Sequence, residues 1–431
     1  MARNDSNGGI FSCGYFALAC TFHKRLMRLW EAQALDRFVP PLDRIELMSS
    51  PLRLNFSKFP EGGLLIVILV LGILLSIFGG EVQRPKMIMG PDGQLTRAME
   101  KDASGQETAA FVKVNNFFNA ETLTQIAKDT SFFAVMAVGV TIVIITAGID
   151  LSVGSVYALA AVGGAMFMNQ FGSDGGPWSA VGGVVITILV ALVCGALNGI
   201  MIVGFNVHPF IITLGTMAIY RGIAFVLTNG QSIGGFPQDF RDFVRQGVIG
   251  DLSLVPLIVM ILVCIVGGIF LARMAIGRKV YAIGGNETAS RYSGIRVARV
   301  KLLAYIISGV TAGIAAVLAL GYYGAASSGD GQGYELTVIA GAVVGGASLF
   351  GGKGSALGAV LGAIILQMIA TGIVIIGIPQ SYSQIVTGVV VITAVLLDQF
   401  NRWISDRRLL AQAAHIKKEV VQASDNPVSV N

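Results

Sequence analysis

The sequence predicts an all-α protein, a polytopic inner-membrane helical bundle with about ten transmembrane helices, some of them broken or re-entrant. Three observations carry this. Hydrophobic residues make up 54% of the 431 residues and charged residues 13%, where soluble chains run about 45–50% and about 25%. Apolar runs close to the bilayer length of about 20 residues recur from end to end. Glycine, with 55 residues, is nearly double its ordinary share of about 7%, which in an apolar chain indicates close helix packing in lipid.

The runs lie at Leu64–Gly80, Ser131–Gly148, Leu151–Phe171, Ala180–Phe205, Phe210–Thr228, Ser253–Ala272, Leu302–Tyr322, Leu336–Phe350, Leu357–Ile376 and Ser383–Leu397. Backbone polar groups in lipid need internal partners, so each run is helical or buried. Their hydrophobicity is continuous rather than alternating, which excludes an outer-membrane barrel. Ahead of the first run, residues 1–63 read as a cytoplasmic extension. Its short apolar stretch Ile10–Phe22 carries His23-Lys24-Arg25 behind it, where a signal peptide has its positive charge in front. The apolar, membrane-spanning region is 64–400, and 401–431 is a polar cytoplasmic tail.

Three runs invite broken or re-entrant helices. Leu151–Phe171 follows its predecessor after only Ile149 and Asp150, Phe210–Thr228 contains Arg221, and Leu336–Phe350 is short. Pro209 opens the fifth run, as proline does in a first helical turn, and leaves His208 just outside it. Two outer loops stand out. Residues 81–129 form a long, nearly charge-balanced insert. Residues 229–251 mix Gly234, Gly235 and Pro237 with Asp239, Arg241, Asp242 and Arg245, a surface suited either to solvent or to a docking protein.

Lysine and arginine set the orientation, because they collect in cytoplasmic loops. Eight lie in residues 1–63 and seven in 273–301, against six between Glu81 and Asp129 and two between Asn229 and Asp251. Both termini are therefore expected in the cytoplasm. The net charge of +5 expresses topology, not nucleic-acid binding.

Several chemistries are excluded. Four cysteines without a CxxC pair and three histidines build no rich metal site, and no cofactor is called for. Gly351-Gly-Lys-Gly-Ser355 is not a phosphate loop, because Ala347 occupies the first glycine position and Gly354 the Ser/Thr position. HExxH and paired-Asp motifs are absent. The chain is not expected to be an enzyme or to hydrolyse ATP.

The cytoplasmic loop 277–301 is the most informative. Asn286 is placed to cap a helix, and Glu287 in the first turn suits its dipole. The helix runs through Tyr292 and stops at Gly294, which is free to turn left-handed. Ala289, Tyr292 and Ser293 then share one small face, either a plain surface or a knob that presses into a partner. Inside the membrane, Asp150 caps the helix that follows it or lines a path. Ser152, Gly154 and Ser155 allow tight packing.

Four ordered motifs give a resemblance: Ile145-Thr-Ala-Gly-Ile-Asp-Leu-Ser-Val-Gly-Ser155, Pro209-Phe-Ile-Ile-Thr-Leu-Gly-Thr216, Ala282-Ile-Gly-Gly-Asn-Glu-Thr-Ala-Ser-Arg-Tyr-Ser-Gly-Ile295 and Gly345-Gly-Ala-Ser-Leu-Phe-Gly-Gly-Lys-Gly-Ser355. Over roughly residues 115–400 the chain resembles permease subunits of bacterial ATP-binding-cassette importers of the ribose/xylose/simple-sugar type. The resemblance implies a cytoplasmic ATPase pair, a periplasmic sugar-binding protein and a second permease copy, a homodimer or a sister subunit. It makes Asn286, Glu287, Ala289, Arg291, Tyr292, Ser293 and Gly294 the element that couples to the ATPase. Asp150, Ser155, Asn198, Thr213 and Thr216 become translocation-path candidates, able to bond sugar hydroxyls or to join helices. The alternative is an ion-gradient-driven secondary transporter of a small polar solute, for which Asp150 is the one well-placed acid.

Overall fold

A computed structural model describes residues 61–85, 87–89, 95–101, 107–245, 247–249, 252–382 and separate positions between 385 and 407. The expected extension 1–63 apart from its last three residues, the Ile10–Phe22 stretch, and the tail 401–431 apart from Trp403 and Arg407 lie outside the described residues.

Helix α1 (Gly62–Phe78) turns Leu69, Ile73 and Ile77 outward and packs Leu75 inward against Phe117, Ile126 and Met368. The insert that follows is not a plain loop. It folds into three antiparallel pairs: β1 (Glu81–Pro85) with β6 (Phe111–Asn115), β2 (Met87–Met89) with β3 (Leu95–Arg97), and β4 (Met99–Lys101) with β5 (Glu107–Ala109). It also ends early, because α2 (Ala120–Ile145) begins well before the expected Ser131. The Asn119 side chain accepts the Thr122 N–H at 2.9 Å, so the cap starts the helix in polar sequence that hydropathy does not register.

Helix α2 is the buried centre of the bundle: every residue from Ala134 to Ile145 is buried. The chain then breaks over residues 146–152 before α3 (Val153–Asn169), which at 17 residues is short of a full span. Helix α4 (Pro177–Gly204) is long, and α5 (Pro209–Thr228) is continuous across Arg221. The break expected in the fifth run does not occur, because Arg221 finds backbone carbonyl acceptors outside its own helix.

Strand β7 (Ile233–Gly234) pairs with β10 (Ala325–Ala326). Between them α6 (Gln238–Arg245) buries Phe240 and Val244, so the 229–251 loop is docked onto the bundle, leaving Asp239 and Asp242 exposed. Strands β8 (Gly247–Ile249) and β9 (Leu252–Ser253) pair ahead of α7 (Val255–Arg273). The segment expected as a loop is largely helical: α8 (Ala275–Gly285), α9 (Glu287–Tyr292) and the first turn of α10 (Val297–Tyr323). The eighth run supplies only α11 (Tyr334–Val344), the second broken element, before residues 345–355 lead into α12 (Ala356–Ile375). Of the tenth run, residues 385–390 are helical.

Six of these helices, α2, α4, α5, α7, α10 and α12, are long and apolar enough to cross a membrane. Their outward faces fit lipid. On α4, Val181, Val185, Leu189, Val193 and Leu197 form one exposed ridge at helical spacing. The inward face of the same helix carries Gly195 and Gly199.

Candidate coupling and translocation site

At the foot of α10, the short helix α9 is fixed from both ends. Asn286 caps it, its side chain accepting the Ala289 N–H at 2.9 Å. Gly294 closes it with φ +81°, a conformation that costs glycine nothing. The Glu287 carboxylate ties α9 to its surroundings, accepting from Arg291 at 3.0 Å and from Lys301 of α10 at 2.7 Å. The Lys301 hydrogen bond is the main reason its carboxyl sits below the usual carboxylate range, with Arg291 adding to it and partial burial opposing. Ser290 is buried beneath the helix, while Ala289, Arg291, Tyr292 and Ser293 face out. Tyr292 projects from the capped turn and is 88% exposed. Beside it runs a groove of about 730 Å3 lined by Arg291, Arg296, Arg299 and Lys301, with Glu287 and His208. His208 caps α5, its Nδ1 accepting the Phe210 N–H at 3.3 Å.

Contact from α9 into the bundle passes through α8. Gly284 lies against the Ile145 carbonyl and Gly352, and a Cβ there has no room. The Gly352 N–H donates to the same Ile145 carbonyl at 2.9 Å, and Tyr281 of α8 donates to the Gly354 carbonyl at 2.7 Å. The loop before α12, whose N-cap is Ser355, thus joins α8 to the break between α2 and α3.

The path candidates gather at that break. Asp150 is buried. Its Oδ1 accepts from the Ser152 N–H at 3.0 Å and the Ser152 hydroxyl at 2.6 Å, and its Oδ2 from Ser308 of α10 at 2.7 Å. Asn198 of α4 donates to the Ser152 hydroxyl at 2.7 Å and accepts from Tyr220 of α5 at 3.2 Å. Thr213 lies 3.3 Å from the Ile149 carbonyl, which Tyr305 also reaches. Ser155 donates to the Ser152 carbonyl at 2.8 Å and Thr216 to the Thr213 carbonyl at 3.3 Å. The structure brings Asp150, Asn198 and Thr213 together, with Ser155 and Thr216 one turn away, and spends their hydrogen bonds on one another. The residue N-terminal to α3 is Ser152, so Asp150 caps by holding Ser152 rather than directly. Another mid-bundle amide, Gln367 of α12, lies away from this break, 3.4 Å from Asp129. Sequence reasoning missed Ser308, Tyr220, Tyr305 and Lys301. The sole signal for the first was a hydroxyl in mid-run, and for the last a base following the acid of α9.

Six long apolar helices with lipid-fitting outward faces, interrupted by shorter broken elements, fit a membrane-embedded bundle. Residues 122–395 match the family described as branched-chain amino acid transport system, permease component. The chain belongs to this family and is a multi-pass inner-membrane protein, a transport component and not an enzyme. Membership implies ATPase subunits and a periplasmic binding protein as partners. Among curated relatives, the D-allose transport system permease protein of Escherichia coli K12 is 40% identical over 283 residues, 66% of this chain and 85% of the relative. The ribose import permease protein of the same strain is 38% identical over 285 residues, 66% and 87%. The autoinducer 2 import system permease protein of Yersinia pseudotuberculosis is 30% identical over 324 residues, 73% and 90%. No solved structure matches the chain.

Proposed function

We propose that the chain forms the translocation path of an ATP-driven, binding-protein-dependent importer of a monosaccharide or similar small polyol. It works as a homodimer with both termini in the cytoplasm. The similarity to allose, ribose and autoinducer-2 permeases supports the solute class. The basic asymmetry of the sequence supports the orientation. Gly215 and Gly222 on α5, which face open space, offer a second copy a surface of close approach. In this reading 64–400 is the permease domain, 81–129 is periplasmic, 277–301 is the coupling segment, and the 1–63 and 401–431 ends are cytoplasmic.

The observation that carries the reading is α9: a capped, ion-paired turn with Tyr292 projecting from it, seated on α8 and α10. Asn286, Glu287, Ala289, Arg291, Tyr292, Ser293 and Gly294 form the contact with the ATPase. ATP-driven displacement of α9 moves α8, and Gly284 transmits the shift to Ile145 and to residues 351–354. The break between α2 and α3 then changes shape, a bistable packing biased by the motor. Asp150, Ser155, Asn198, Thr213 and Thr216 hold that break at the margin of the path rather than ligating the sugar. The ion-driven alternative loses its one candidate, since both Asp150 oxygens are already engaged.

Glu287→Arg removes the acid that holds α9 to α10, and Gly294→Trp forces a side chain into a left-handed turn. Both are expected to leave membrane insertion intact and to reduce ATP-driven sugar uptake by at least about a hundredfold. Normal uptake by the well-expressed double variant would reject the coupling assignment.

A further inference from the structure

At the end of α10 remote from α9, Tyr157, Ser232, Tyr323, Ala325, Asp330 and Tyr334 line an open-sided cavity of about 320 Å3. Its walls are packed from behind. The Tyr157 and Tyr334 rings lie 5.7 Å apart, tilted by 46°. Phe133 backs Tyr334 edge-on at 4.6 Å, and Phe132 backs Tyr323 at 5.7 Å. The remaining wall is the turn between β10 and α11, and it is pinned twice. Arg221 Nη1 donates to the carbonyls of Ser328 and Asp330, and the Asp330 Oδ2 accepts the Ser327 N–H at 2.8 Å. Arg221 therefore spends its hydrogen bonds on backbone and forms no ion pair with the Asp330 carboxylate.

Polar groups are distributed around this space in an unusual way. No described residue hydrogen-bonds the hydroxyl of Tyr157, Tyr323 or Tyr334, although Tyr157 is only 3% exposed. Buried phenols ordinarily find a partner. Here one buried phenol, Tyr157, a half-buried one, Tyr334, and an exposed one, Tyr323, line one cavity together with a carboxylate that has an oxygen to spare. Such a set combines flat apolar faces, which cover the C–H side of a sugar ring, with donors and an acceptor for its hydroxyls.

We propose that this cavity is a holding site for the solute on its way through the permease, selective for a neutral polyol of monosaccharide size. The inference rests on the sugar-importer reading and adds where and how the permease itself touches the sugar. The volume is at the small end of the about 300–1,000 Å3 of ligand pockets, which admits one sugar ring and excludes an oligosaccharide. No lysine or arginine lines the cavity, so a phosphorylated or carboxylated solute finds no cationic partner there. A quaternary ammonium suits the aromatic faces but leaves the phenol hydroxyls unpaired, a loss that binding sites discriminate against strongly. Position also fits the task. Tyr323 ends α10, whose first residues adjoin α9, so one continuous helix of 27 residues, about 40 Å long, links the motor contact to the cavity wall.

The test uses the full chain in lipid nanodiscs, titrated by calorimetry with D-ribose, D-allose, ribose 5-phosphate and choline. The two neutral sugars are expected to bind saturably. Tyr157→Phe, Tyr334→Phe and Asp330→Asn, each melting like the parent, should weaken that binding about tenfold. The phosphate ester and choline should not bind. Absence of saturable sugar binding, unchanged affinity in all three variants, or equal binding of ribose 5-phosphate or choline overturns the site. A second arm measures ribose and allose uptake by the complete importer with its ATPase and binding protein. Uptake by the parent with unimpaired variants sinks the cavity and spares the function. A complete importer that moves neither sugar sinks the function itself.

Discussion

Asp150 illustrates how a single charge is kept inside an apolar bundle. Both carboxylate oxygens are occupied, and the Ser152, Asn198, Tyr220 chain extends the network across α4 and α5. Replacing Asp150 by leucine strands Ser152 and Ser308 in a dry site. It should cost about 3 kcal/mol, read as a lower melting temperature in detergent, whereas Asp150→Asn keeps an acceptor and should lose about half as much. A leucine variant as stable as the parent would show the network to be dispensable. Glu287 responds to pH in a definite direction. Its carboxyl titrates below the ordinary range because Lys301 and Arg291 favour the ionised form. The stabilisation it gives α9 is therefore complete above the unfolded value of about 4.3 and disappears as pH falls through the lower, folded value. Amide hydrogen exchange over residues 286–294, corrected for the intrinsic pH dependence, should stay uniform from neutral pH down to that range and quicken only in stronger acid. Quickening near pH 6 would point to a different group.

The packing of α4 against α10 explains the glycine excess. Gly195 and Gly199 on α4 meet Gly309 and Leu302 on α10, and Gly313 meets Ala191. A Cβ on Gly195 falls 3.1 Å from the Gly309 Cα and against the Tyr305 carbonyl, while one on Gly309 falls 3.0 Å from the Gly195 Cα. Small residues four apart on both helices let the backbones touch, which is how helices associate without a hydrophobic drive. Gly195→Leu should separate them and destabilise the protein by several kcal/mol, about 3 or more, with loss of the monodisperse peak on size exclusion. Gly204→Leu, in open space on the same helix, should behave like the parent. These elements also show where sequence is informative. The α9 cap, acid and terminal glycine lie within nine positions, so local chemistry alone specifies them. Asp150 was visible as an intramembrane acid, but its partner Ser308 is 158 positions away, and nothing local pairs the two. The strands of the insert are three to five residues long, too short to carry a period. The fifth run was expected to break at Arg221 because a lone base looks costly in lipid; the carbonyls that receive it belong to a turn more than a hundred positions later.

At the scale of the molecule, the spanning helices turn apolar faces outward, and the polar groups at the α2–α3 break are paired with one another. Energy for uphill movement must then enter at a terminus of the bundle. The two ends differ: one carries the projecting Tyr292 and the basic groove, the other the β-hairpins, α6 and the aromatic cavity. At the α2–α3 break the one acid, Asp150, accepts hydrogen bonds through both oxygens. Reconstituted with ATPase and binding protein, the permease should therefore accumulate sugar at a rate set by ATP and indifferent to protonophore or sodium gradient. It should fall to the leak rate when Tyr292→Ala removes the anchor, a truncation worth at least about 2 kcal/mol at a central contact, or roughly thirtyfold in docking affinity. The informative comparison is uptake against ATPase concentration. If Tyr292 is the anchor, excess ATPase restores the variant to the parent's rate, because only affinity has been lost. A rate that stays low at saturation would move the defect from docking to transmission through α8. Accumulation by the permease alone, driven by an ion gradient, would remove the need for a motor contact altogether.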